Sequence, residues 1–149
     1  MSNEEIRNII LLSCNSLDDH DFEGFLNLCV KGFKYTIKVF SPELLKDMVW
    51  LEHDYEGLKV LFEELPDHLQ RNEKISRQLS YPLVETSAKK IKVTTNFCVY
   101  KTDLDGKSSI FCIGNYIDNV CYINNKYFLK ERVVHLETRD LGIGLHVPI

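Results

Sequence analysis

A chain of 149 residues with 44% hydrophobic side chains can bury one core, and it is too short for two domains of ordinary size. Its 18 Lys and Arg against 22 Asp and Glu leave a formal charge of -4, with basic residues scattered apart from short clusters such as Lys89, Lys90 and Lys92, which argues against a nucleic-acid partner. The longest apolar run, IILL, is far too short to cross a membrane, and MSNEEIRN lacks the basic start of a secretory leader, so the expectation is a cytoplasmic protein with no membrane partner.

Ser2 followed by Glu5 reads as a capping box, and Ile6, Ile9 and Ile10 then recur at helical spacing, which predicts a first helix to about Asn15. Asp19 or Asp21 can cap a second helix whose Phe22, Phe25, Leu26 and Cys29 share a face, ending near Gly32. FKYTIKVF alternates apolar and polar residues and reads as a strand, closed by Ser41 and Pro42. ELLKDMVWLEH fits either period, and a second strand from about Asp47 is the preferred reading. Asp54 caps a third helix carrying Leu58, Leu61, Phe62 and Leu65 on one face. Residues 67 to 80 are polar and read as an exposed connection.

From Tyr81 onward the pattern is β. Ile91, Val93, Thr95, Phe97 and Val99 alternate in a long strand, DLDG turns at 103 to 106, SSIFCIGNYI returns, and Asn124–Asn125 reads as a further hairpin turn. The two spaced glycines of GIG at 142 to 144 read as a bend or bulge in a terminal strand, since no helix follows to receive a phosphate. Segregated helices followed by an antiparallel meander predict a single α+β domain, a curved, cone-shaped sheet with three helices packed on its concave side.

Chemistry is sparse. His20, His53, His68, His135 and His146 lie far apart with no Cys nearby, so no metal-ligand spacing occurs. Five cysteines without a CxxC suit reduced, buried thiols, and Cys98, Cys112 and Cys121 sit in strand-like surroundings that favour inert side chains. A cone with a cavity needs only one ionisable group of shifted pKa to act as an isomerase, dehydratase or cyclase, and the candidates are His20, Asp47, His53, Asp54, Tyr100 and His135. Each also has a bland reading, Asp54 as a helix cap and His135 as the wet side of a strand. A ligand-binding accessory protein of the same shape is the third possibility.

Three stretches carry a family resemblance. KIKVTTNFCVYKT, with Asn96, FCIGNYIDNVCYI, through Gly114, Asp118 and Val120, and YFLKERVVHLETRDL, through Tyr127, Leu129, Arg132, Val134, Leu136 and Glu137, resemble the small (β) subunits of Rieske non-haem iron ring-hydroxylating oxygenases. Asn115, Glu137 and Tyr127 depart from that pattern, which usually has a basic residue, Asp and Trp there. Within the family, MVWLEHD and LETRDLGIGLHVPI are most similar to small subunits of the methanesulfonate monooxygenase kind, which oxidise an alkanesulfonate rather than a ring.

The resemblance implies the cone fold of nuclear transport factor 2 and a non-catalytic, structural role. It also implies a homotrimer within an α3β3 assembly. The Rieske iron–sulfur cluster and the non-haem iron would reside in the large (α) subunit, with no cofactor or metal in this chain. The apolar segment with Leu141, Ile143, Leu145, Val147 and Ile149 is expected to be buried in that assembly or in the mouth of the cone.

Overall fold

The computed structural model describes residues 2–65, 74–141, 148 and 149. Three helices, α1 (Asn3–Asp18), α2 (Phe22–Asn27) and α3 (Tyr55–Glu64), pack on one mixed sheet. Its strands are β1 (Cys29–Ser41), β2 (Lys46–Asp54), β3 (Lys74–Leu79), β4 (Leu83–Ser87), β5 (Lys90–Thr102), β6 (Ser108–Ile123) and β7 (Lys126–Leu136). They run in the order β2-β1-β7-β6-β5-β3, with β4 also paired to β5. Among the described residues only the β1–β7 pairing is parallel, so the first strand joins the antiparallel meander beside its last strand.

Alternation builds the core. Phe33, Tyr35, Ile37 and Val39 of β1, Ile91, Val93, Phe97 and Val99 of β5, and Val134 and Leu136 of β7 turn inward onto Ile6, Ile10, Leu17, Phe25 and Leu58 of the helices. The hairpin turns follow their residues. Asn124 and Asn125 take φ of 51° and 62°, the left-handed pair that matches strand twist, and Gly106 takes φ 81° beyond an Asp103 carboxylate that accepts from two backbone N–H groups. Asp54 caps α3, accepting from the Gly57 N–H at 2.8 Å.

The structure corrects three expectations. Ser2 stands at the N-cap of α1 without a side-chain bond, so the capping box does not form, and the helix runs on to Asp18. The second helix stops at Asn27 instead of reaching Gly32, because the Leu28 carbonyl is taken by the Leu129 N–H at 2.8 Å and the chain joins the sheet at Cys29. The polar connection contains β3, paired to β5 from Lys74↔Thr102 to Leu79↔Phe97. The expected bend at 142 to 144 lies outside the described residues.

Candidate functional site

The parity of β6 and β7 puts two charges inside. On β6, Cys112, Tyr116 and Val120 face inward, and Asp118 shares their side; on β7, Arg132 shares the side of Val134 and Leu136. Asp118 and Arg132 are register partners on adjacent strands, and both are fully buried. Arg132 Nε donates to Asp118 Oδ1 at 2.6 Å and Nη2 to Oδ2 at 3.1 Å, a bidentate fork. Nη2 also donates to Ser13 Oγ at 2.8 Å on the buried stripe of α1, and the guanidinium lies 4.4 Å above the Tyr116 ring. One arginine therefore ties α1, β6 and β7 together.

Electrostatically the pair is locked. Burial pushes the Asp118 carboxyl above its usual range while Arg132 draws it back, and Asp118 in turn holds the Arg132 guanidinium above its ordinary value, firmly protonated. Burial likewise raises the Tyr35 and Tyr116 hydroxyls and pushes the Cys29 and Cys112 thiols up to about 12. Arginine cannot serve as a base, and these phenols and thiols keep their protons at neutral pH. The interior is arranged to hold charge, not to move protons.

A second pair flanks the first. Arg77, inward on β3, donates from Nη1 to Asp18 Oδ1 at 2.5 Å and from Nη2 to the Pro148 carbonyl at 2.8 Å. The Tyr35 hydroxyl accepts from the Ile149 N–H at 2.7 Å and donates to the Ile149 carbonyl at 3.0 Å. Ile149 is thereby buried by its own chain, while Leu141 is half-buried; Ile143, Leu145 and Val147 lie outside the described residues.

The six candidate acid–base residues do not converge. His20 is exposed in the turn between α1 and α2 at φ 56°, Asp47 is exposed on β2, and half-buried His53 and exposed Asp54 end that strand. Tyr100 is on β5 and His135 on β7, both at positions that alternate with the inward set. Of the family-motif residues, Asp118, Val120, Arg132, Val134 and Leu136 are inside. Gly114 has a steric reason: a Cβ there would stand 2.2 Å from the His135 carbonyl oxygen, so β6 and β7 approach too closely for any side chain. Asn96 is exposed, its N–H donating to the Ser80 Oγ and its carbonyl accepting from the Ser80 N–H, and Glu137 is exposed with its N–H on the Ile113 carbonyl.

Sequence reading passed over Ser13, Asp18, Tyr35, Arg77 and Tyr116 as site residues. The available signal was parity, because charges or hydroxyls at inward positions of alternating strands must find partners across the interior.

No family model matches the chain. It is 31% identical, over its full length and that of the relative, to the β subunit of 2-aminobenzenesulfonate 2,3-dioxygenase of Alcaligenes sp.. It is 30% identical to the β subunit of methanesulfonate monooxygenase hydroxylase of Methylosulfonomonas methylovora, over 98% of this chain and 86% of the relative. Among solved structures, the β subunit of a candidate aromatic-ring-hydroxylating dioxygenase from Novosphingobium aromaticivorans superposes with a TM-score of 0.83 at 18% identity, over 98% of this chain and 95% of that one. The fold is the nuclear transport factor 2-like, cystatin-like cone.

Proposed function

Since the chain belongs to the β subunits of multicomponent Rieske-type oxygenases, with a large α subunit as the implied partner, we infer that its own part is structural: it forms a cytoplasmic homotrimer that carries large subunits in an α3β3 assembly. The observation that carries this reading is the interior. Where a cone-fold enzyme needs an open pocket with convergent ionisable groups, Asp118, Arg132, Ser13 and Tyr116 are all without exposure, with Arg132 held by Asp118 and Ser13 and stacked on the Tyr116 ring. Among the described residues no three His, Cys, Asp or Glu side chains come together to hold a metal. We assign the Rieske cluster and the mononuclear iron to the large subunit, as the resemblance implies. Both relatives are named for sulfonates, and an organosulfonate is the substrate class we assign to the assembled enzyme.

Light scattering coupled to gel filtration tests the reading. The chain expressed alone is expected at about 52 kDa, three protomers of 17.4 kDa. When it is co-expressed with its large subunit, a tagged copy should retain that subunit, and all iron should follow the large chain. A monomer that retains nothing would refute the proposal.

A further inference from the structure

Two complementary surfaces lie at opposite corners of the sheet. At the tip of the β1–β2 hairpin, Leu44 and Leu45 are 56% and 79% exposed, and Leu45 takes φ 53°, a left-handed conformation that is strained for leucine. Val49 follows, 51% exposed, and the exposed acids Glu43, Asp47 and Glu52 border these apolar side chains with one exposed base, Lys46, between Leu45 and Asp47. At the other corner, a cleft of about 590 Å³ opens where the β4–β5 turn meets β6 and β7. Exposed Tyr122 lines it above the buried Ile91 and Val120, with Lys89, Lys90 and Lys130 as basic side chains and Glu131 as the one acid.

The hairpin of a chain cannot reach its own cleft. Val39 pairs with Leu136 near the hairpin, whereas Val120 pairs with Leu129 near the cleft, a separation of seven residues along β7 or roughly 23 Å at strand rise. Crossing from β1 to β5 adds three strand spacings, roughly 14 Å. The occupant must be another molecule. Its chemistry is set by the cleft, an apolar projection with acidic flanks, and the chain itself carries one.

We propose that the β1–β2 hairpin of one copy docks in the lysine-rimmed cleft of the next, with Leu44 and Leu45 against the exposed Tyr122 ring, and Glu43 and Asp47 against Lys89 and Lys90. Because the two patches differ, the contact is head-to-tail and propagates around a ring instead of closing a two-fold dimer. The proposal rests on the trimer reading above and supplies its interface. The opposite charges also give two chains of net charge -4 an attractive approach at this one place.

Charge exchange tests it. Glu43→Lys with Asp47→Lys, and separately Lys89→Glu with Lys90→Glu, are expected to shift the light-scattering mass to that of one protomer at low salt, and combining all four in one chain should restore the trimer. Leu45→Asn adds a signature that a merely structural leucine would not show. Asn tolerates the left-handed backbone, so at a dilution where both chains are monomeric the variant should melt no lower than the parent, while association weakens about tenfold or more. A wild-type monomer would overturn the trimer reading and this contact together. A wild-type trimer unaffected by these variants, or not restored by their combination, would overturn the contact alone. So would variants that stay trimeric but shed the large subunit, which would make the hairpin a surface for that partner.

Discussion

Asp118→Asn isolates the cost of the interior charge. The substitution keeps the size of the side chain and removes the carboxylate that accepts from Arg132 at 2.6 and 3.1 Å. Arg132 is fully buried and cannot shed its proton, so the folded protein must hold a guanidinium whose remaining contacts are the Ser13 hydroxyl and the Tyr116 ring. Breaking a buried pair on one side costs about 3–5 kcal/mol. That is a large fraction of the about 5–15 kcal/mol by which a domain is stable. Ser13→Ala removes one hydrogen bond to a charged group and should cost about 1.5–3 kcal/mol. Replacing both partners, Asp118→Leu with Arg132→Met, should cost less than Asp118→Asn, because no uncompensated charge is left inside. Urea unfolding followed by far-ultraviolet circular dichroism reads all three, and the Asp118→Asn loss should be insensitive to salt, since a buried pair is poorly screened. A loss below about 1 kcal/mol, the value of an exposed pair, would refute the account of the interior.

Two further outcomes follow from the packing. Gly114→Ala would place its Cβ against the His135 carbonyl oxygen and the Leu136 backbone, atoms that cannot swing aside, so the β6–β7 ladder must part; a loss of about 1–3 kcal/mol in the same urea assay is expected, and a neutral result would mean that the strands are not so close. Alkaline pH should destabilise the fold through Cys29 and Cys112, raised from 9.0 to about 12 by burial. Above 9 the unfolded chain releases protons that the fold retains, so stability falls as pH rises toward 12, by about 1.4 kcal/mol per pH unit for each thiol. Cys112→Ala should flatten the decline of the urea midpoint between about pH 8 and pH 10; equal slopes in parent and variant would show that this thiol titrates normally.

How far the fold was legible depended on whether one physical rule acted alone. In β5 and β7, alternation met no competing signal, and the asparagine pair and the Asp103–Gly106 turn marked where strands reverse. Where two rules competed, local reading erred: Phe22, Phe25, Leu26 and Cys29 satisfy helical spacing, but the β7 backbone supplies a partner for Leu28 that no spacing rule contains. β3 was hidden for the reason that hid most of the site. Its inward residues are Ile75, Arg77 and Leu79, and an arginine reads as a wet position unless its carboxylate is known to wait inside. Arg77 needs Asp18 and Arg132 needs Asp118, partners 59 and 14 residues away in the chain. The resemblance named Asp118 and Arg132 as motif residues, yet only the β6–β7 register shows why the two go together. An Asp in one strand and an Arg in the next can be buried only as a pair, so each constrains the other, and the same constraint withdraws both from any reaction.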